Sequence, residues 1–165
     1  MDNKQNLLLG SLVKYYENPQ NMEAFVEILH DKSSISLRLI DWFVTKYSKQ
    51  NNTQYNWQQK TFHVYINYRS QLKAYSKKQM DPFCRRERVQ LAHYGIEIVT
   101  TIGQMNFFRW AIENGVIKYI CENYKSLENF MKAENKTLTK KNGFNRGQGK
   151  RTFSRTHQHV TIVFD

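Results

Sequence analysis

The spacing of apolar residues changes its period along the chain, and this change limits the folds that the sequence can adopt. Within residues 1–50, apolar side chains recur every three to four positions, which is typical of amphipathic helices. Later segments, at 61–68, 88–101 and 157–164, alternate apolar and polar side chains as strands do, and the two runs around Tyr94-Gly95 predict a hairpin with which the last strand can pair. Helices followed by strands predict an α+β fold, with about five helices packed on a small antiparallel sheet.

Length and composition predict one globular domain with a basic extension. Residues 1–134 are expected to form a single α+β domain, since a chain of this size supports one hydrophobic core. Residues 135–156 contain three glycines and no acidic side chain, which is typical of a flexible basic segment. Residues 157–165 regain the strand pattern and are expected to return to the domain as a terminal strand.

The net charge of +11 indicates an anionic partner. Residues 1–134 carry 18 basic and 13 acidic side chains, whereas residues 135–165 carry seven basic side chains and one acidic one. Unpaired positive charge repels itself, so a partner that neutralises it is expected.

The segment from Lys60 to Arg88 is the first candidate site, because Asp81 and Glu87 are the only acids beside its eight basic residues. Arginine and lysine both suit phosphates, and the interleaved aromatic residues can stack on bases if they are exposed. The alternative is that the aromatic side chains pack inward and the charges only solubilise the protein. Those aromatic residues are Tyr65, Tyr68, Tyr75 and Phe83. The predicted phosphate ligands are Lys60, Arg69, Lys73, Lys77, Lys78, Arg85, Arg86 and Arg88.

The second candidate site is the basic tail, residues 136–155, where Phe144 and Phe153 accompany the charges. Its "NRGQGKR" spacing is similar to Arg/Gly-rich nucleic-acid-binding segments. A solvated linker, or a segment that meets an acidic protein, is the alternative. The predicted phosphate ligands are Lys140, Lys141, Arg146, Lys150, Arg151 and Arg155.

The stretch "FFRWAIENGVIKYICENY" has the spacing of a helix-turn-helix, with Ala111 and Gly115 four residues apart. Asn114 occupies a position where an apolar residue is expected, and Glu122 and Glu128 make the second helix acidic. An ordinary corner between two helices is therefore favoured.

No catalytic site, metal site or cofactor is predicted. Asp81 precedes Pro82 and is interpreted as a turn former. A Cys84 nucleophile with His93 as its partner lacks the phosphate-cradling spacing of cysteine phosphatases. His157 and His159 share a strand face, but no neighbouring acid or cysteine completes a metal site.

The two cysteines, Cys84 and Cys121, form no CxxC motif, and no apolar run is long enough to span a membrane. The beginning of the sequence also lacks the apolar region of a signal peptide. An intracellular protein without membrane association is therefore expected.

Four stretches are similar to a family of small uncharacterised proteins of large nucleocytoplasmic DNA viruses, the mimivirus-like giant viruses. They are "SLRLIDWFVTKYSKQNN", "YRSQLKAYSKKQMDPFCRRER", "TTIGQMNFFRWAIENGVIKYI" and "VTIVFD". The resemblance implies a viral factory in the host cytoplasm, or the virion, as the location. It implies no catalytic residue.

Three functions follow from these observations. The first is a non-enzymatic accessory protein that binds nucleic acid, with DNA favoured over RNA, through the basic face and the basic tail. The second is a structural or interaction protein of the virion or viral factory that meets an acidic viral protein. The third is a small phosphoester-processing enzyme that uses Asp81, Arg85, Arg86 and His93.

Overall fold

A computed structural model describes residues 3–30, 33–93, 95–142 and 159–163, and it confirms the α+β class. The helices are α1 (Asn3–Tyr16), α2 (Pro19–Leu29), α3 (Leu37–Trp42), α4 (Ser48–Gln50), α5 (Val64–Ala74), α6 (Ile102–Glu113), α7 (Val116–Glu122) and α8 (Tyr124–Asn142). A π-helical segment, Phe43–Tyr47, joins α3 to α4, and Lys77–Met80 form a 3-10 turn. The strands are β1 (Gln54–Trp57), β2 (Lys60–His63), β3 (Arg88–His93), β4 (Ile96–Thr101) and β5 (His159–Val163).

Helix α6 lies at the centre of the core. Met105, Phe107 and Phe108 on this helix are fully buried, and the Tyr16 hydroxyl of α1 donates to the Met105 carbonyl at 2.7 Å. The Phe108 ring packs against Phe25 of α2, with ring centroids 5.5 Å apart. Helices α1 and α2 are therefore fixed to α6 through aromatic packing.

The predicted hairpin around Gly95 is confirmed, since β3 and β4 pair antiparallel from Arg88↔Thr101 to His93↔Ile96. Pairing of the terminal strand with this hairpin is also confirmed, although β5 joins β3 in parallel and not antiparallel. Parallel neighbours need a long crossover, which the chain between β3 and β5 supplies.

The strand expected at 61–68 is shorter than predicted and pairs elsewhere. Only Lys60–His63 is extended, and it pairs with β1, for which the sequence pattern predicted no strand. Helix α5 begins at Val64, because Val64 and Tyr68 are buried four residues apart on one helix face. The alternation of apolar residues in this stretch is too short to exclude a helix.

The first eight residues of the predicted flexible segment, 135–142, are helical, since α8 continues to Asn142. Thr137 donates to the Ala133 carbonyl at 3.0 Å within this helix. Residues 143–156 lie outside the described residues.

A corner at Gly115 joins α6 to α7. Gly115 has a φ of 67°, and a Cβ there would come within 2.4 Å of the Trp57 ring. The Trp57 indole N–H donates to the Glu113 carbonyl at 2.8 Å. The β1–β2 hairpin therefore covers the corner.

Candidate nucleic-acid interface

Residues 77–88, here called the basic loop, dock against the first two turns of α6. The Gln104 side-chain amide donates to the Pro82 carbonyl at 2.9 Å. The Asn106 amide, which is 2% exposed, donates to the Gln79 carbonyl at 2.9 Å. These two contacts hold the loop backbone at residues 79 and 82, in its first half.

Internal turns give the basic loop a defined conformation. The Phe83 amide donates to the Asp81 carboxylate at 2.9 Å, which agrees with the turn-forming role predicted for Asp81. The Cys84 amide donates to the Asp81 carbonyl at 3.2 Å. Glu87 has a φ of 53°, a left-handed conformation that non-glycine residues seldom adopt.

Gly103 allows the loop to approach α6 closely. A Cβ at this position would come within 2.4 Å of the Lys78 carbonyl oxygen and 2.9 Å of the Asp81 carbonyl oxygen. Both atoms belong to the backbone, so a side chain at 103 requires the loop to move.

We expect Gly103→Ala to destabilise the protein by about 1–3 kcal/mol, because the added methyl group displaces packed backbone. The matched control is Gly10→Ala in α1, where nothing lies within 4 Å of the added Cβ. That exchange is expected to stabilise the protein by about 0.5–1 kcal/mol through helix propensity. Urea unfolding measures both, and equal effects of the two exchanges would contradict the close packing of the loop.

The basic side chains of the loop face solvent. Lys77, Lys78, Arg85 and Arg86 are exposed, and Arg88 is half-buried at the start of β3. The three ion pairs among the described residues, Lys46–Glu134, Lys118–Glu122 and Lys132–Glu128, lie elsewhere. No described carboxylate therefore forms an ion pair with a cation of the loop.

Hydrogen bonding and partial burial affect the acidic groups near the loop. The Glu87 carboxylate accepts a hydrogen bond from the Gln5 amide at 3.1 Å. Burial, with a smaller contribution from Asp81, raises the pKa of Asp41 above its usual value. Burial and the nearby Asp41 and Asp81 raise the pKa of Tyr68 to about 12. Tyr68 is therefore neutral at physiological pH.

Two cavities flank Cys84. The first, of about 350 Å³, lies between the loop, α1 and α6, and Lys78 and Arg86 contribute its cations. The second, of about 270 Å³, includes Arg85, Arg88 and the β4 residues Val99–Thr101 in its lining. The first turn of α6 borders both cavities, and the positive end of its dipole adds to the attraction for anions.

The remaining predicted ligands of the first candidate site lie on neighbouring elements. Arg69 and Lys73 are exposed and lie four residues apart on one face of α5, next to Ile66, which is 62% exposed. Lys60 begins β2 at the far side of the β1–β2 hairpin turn. The structure therefore brings Lys78 and Arg86 to one cavity and Arg85 and Arg88 to the other, whereas Lys60 lies in the separate β1–β2 sheet.

Of the aromatic residues considered for stacking, Phe83 is the exposed one, at 47%. Tyr68 is buried against Trp110, with ring centroids 5.6 Å apart, so it is a core residue. Tyr65 is half-buried beneath the Lys49 ammonium, 5.7 Å from its ring centroid, and Tyr75 packs against the core.

The tail ligands are only partly within the described residues. Lys140 and Lys141 lie in the last turn of α8. Arg146, Lys150, Arg151 and Arg155 lie outside the described residues, as does His157.

The described residues contain neither a metal-binding cluster nor a membrane-spanning helix. No group of three His, Cys, Asp or Glu side chains there can hold a metal ion. No described helix is both long and apolar enough to cross a bilayer.

Sequence reasoning missed the three α6 residues that hold the loop, which are Gly103, Gln104 and Asn106. Asn106 also accepts a hydrogen bond from Arg109 at 3.2 Å and contacts the Met80 sulfur at 3.2 Å. The signal for Asn106 was an asparagine among the apolar residues of a buried helix, since a buried side-chain amide needs a hydrogen-bond partner.

Comparison with known proteins gives a family and a viral relative. Residues 1–159 match the family described as "Family of unknown function (DUF7197)". "Uncharacterized protein L507" of Acanthamoeba polyphaga mimivirus is 41% identical over 127 residues, which cover 71% of this chain and 48% of that protein. The chain thus spans about half the length of this curated relative. No solved structure matches the chain. The match over residues 1–159 shows that the chain belongs to this family of unknown function, DUF7197, and the mimivirus relative is consistent with a giant-virus family.

Proposed function

We propose that this protein binds the phosphate groups of a nucleic acid and acts as a non-enzymatic accessory protein. The observation that carries the proposal is the basic loop, which α6 holds in a fixed conformation while its cations have no described carboxylate partner. Holding five cations close together is unfavourable until a polyanion replaces the solvent ions around them.

The contacts around the loop favour a polynucleotide over a small anion. Arg69 and Lys73 on α5 extend the basic surface beyond the loop, and α5 contacts the 3-10 turn that carries Lys77 and Lys78. Phe83, at the loop surface, offers a ring on which a base can stack. Lys140 and Lys141 contribute further charge at the end of α8. Because the family resemblance is to proteins of large DNA viruses, we propose DNA in a viral factory or virion as the target.

A mobility-shift titration with duplex and single-stranded DNA and RNA tests the proposal. We expect complexes at about 50 mM salt. The log–log salt slope, which is the slope of log binding constant against log salt concentration, should lie near −5 to −7 if the two basic regions together contact about eight phosphates at roughly 0.7–0.9 per contact. If the protein binds none of these polymers at about 50 mM salt but captures an acidic viral protein, the proposal is wrong.

A further inference from the structure

The first cavity beside Cys84 has the dimensions of a small ligand site. Its volume of about 350 Å³ is near the lower end of the roughly 300–1,000 Å³ found for ligand pockets. Its walls come from three parts of the chain: α1, the basic loop and α6. The residues that matter for binding are Gln5, Lys78, Gln79, Arg86, Glu87 and Ile102.

The charges in this cavity suit a phosphate group. Lys78 and Arg86 lie near opposite ends of the basic loop and supply a point charge and a planar fork of donors. Glu87, the single carboxylate in the lining, already accepts a hydrogen bond from the Gln5 amide at 3.1 Å. Neither cation pairs with a described carboxylate, so the lining carries one net positive charge.

The other walls suit the rest of a nucleotide. The side-chain oxygen Oε1 of Gln79 accepts from the Ser76 backbone amide at 3.1 Å, so the side-chain N–H groups of Gln79 point away from that bond. Ile102 is 4% exposed and provides an apolar wall for a sugar or a base. Asn106 holds the Gln79 carbonyl at 2.9 Å, so the turn that carries Lys78 and Gln79 is fixed.

We propose that this cavity holds one nucleotide unit that carries a phosphomonoester, as the phosphorylated end of a nucleic-acid strand does. The inference rests on the proposed function and specifies its ligand. A phosphomonoester carries about −1.5 to −2 charges at neutral pH, which suits two cations better than the single charge of an internal diester. Walls from three separate parts of the chain also favour a strand end, since an internal nucleotide requires the strand both to enter and to leave.

Four ligands of about 12 nucleotides test this inference with the full chain. They are one DNA strand with a 5′ phosphate, the same strand with a 3′ phosphate, the strand with hydroxyl groups at both ends, and its closed circle. We expect at least one phosphorylated strand to bind about tenfold more tightly than the hydroxyl-ended strand and the circle. Adenosine monophosphate should displace that strand more effectively than inorganic phosphate does.

The K78Q/R86Q variant should lose the preference for the phosphorylated strand while it still binds the circle. The matched control is R85Q/R88Q, which removes the cations of the second cavity and should weaken all four ligands by a similar factor. Thermal unfolding verifies that both variants fold, since Lys78 and Arg86 are exposed.

Equal affinity of the wild-type protein for all four ligands would overturn the strand-end inference and leave the proposed function intact. Equal displacement by inorganic phosphate would overturn the nucleotide part of the inference. If the protein binds none of the four ligands, both proposals are overturned.

Discussion

Replacing Arg85, Arg86 and Arg88 together with glutamine is expected to lower the affinity for DNA about 100-fold at about 150 mM salt. The three guanidinium groups have no described carboxylate partner, so each is available for a phosphate. Losing these contacts should flatten the log–log salt slope by about two to three units. When the affinities of the two proteins for DNA are taken as equal at about 1 M salt, each unit of difference in slope corresponds to roughly a sevenfold difference in affinity at about 150 mM. Two to three units therefore give a loss of about 100-fold.

A control variant with the same change in charge separates a local site from general attraction. Lys14, Lys118 and Lys125 are exposed and lie on α1, α7 and α8, away from the basic loop in the sequence. Their replacement by glutamine should leave the salt slope close to that of the wild-type protein. Equal losses of affinity in the two triple variants would show that net charge, and not the loop, governs binding. Both variants should fold, because five of the six replaced side chains are exposed and exposed charges contribute little to stability, while the sixth, Arg88, is half-buried at the start of β3.

Replacing Trp110 with alanine is expected to reduce the free energy of unfolding by about 3–5 kcal/mol, the range for large buried aromatic side chains. Trp110 is 4% exposed and joins three elements. Its ring centroid lies 6.4 Å from that of Phe62 on β2 and 5.6 Å from that of Tyr68 on α5. Its indole N–H donates to the Asn67 side-chain oxygen at 2.7 Å.

The Trp110→Phe variant separates packing from hydrogen bonding at this position. It keeps a ring in the core and removes the indole donor, so we expect a loss of about 1–2 kcal/mol. Urea unfolding of both variants measures these differences. A Trp110→Ala protein as stable as Trp110→Phe would contradict the packing role of the indole. Because Trp110 anchors α5, the alanine variant should also weaken any DNA contact of Arg69 and Lys73.

Local patterns in the sequence predicted those helices and strands whose signals lie within their own residues. The β3–β4 hairpin follows from two alternating runs around Gly95, whose φ of 76° suits glycine. Helix α6 follows from an apolar run in which Thr101 caps the first turn through a bond from the Gln104 amide at 3.2 Å. Neither element depends on distant residues for its conformation.

Elements that depend on tertiary contacts were misassigned or missed. The β1–β2 hairpin turns at Gln58 and Gln59, both with positive φ, where Asn-Gly is the usual signal. Tyr55 and Trp57 stabilise this hairpin through distant carbonyl groups, those of Asn114 and Glu113. The same limit applies to the candidate site. Its cations were evident from the sequence, whereas the loop that gathers them depends on Gly103 and Asn106 of a different element.

The two cysteines allow a direct measurement of whether nucleic acid covers the basic loop. Cys84 lies within the loop between the two cavities and is partly exposed. Cys121 is exposed on α7, which follows the opposite end of α6, a helix of 12 residues or about 18 Å. Each thiol therefore reports on a different end of this helix, and the unmodified protein serves as its own control.

Alkylation rates of both thiols, measured by mass spectrometry with and without saturating DNA at about 50 mM salt, test the central claim most directly. We predict that DNA slows alkylation of Cys84 at least about fivefold, because bound phosphates at Arg85 and Arg86 restrict access to the neighbouring thiol. The rate at Cys121 should stay unchanged. An unchanged rate at Cys84 in the presence of bound DNA, or equal protection of both thiols, would contradict binding at the basic loop.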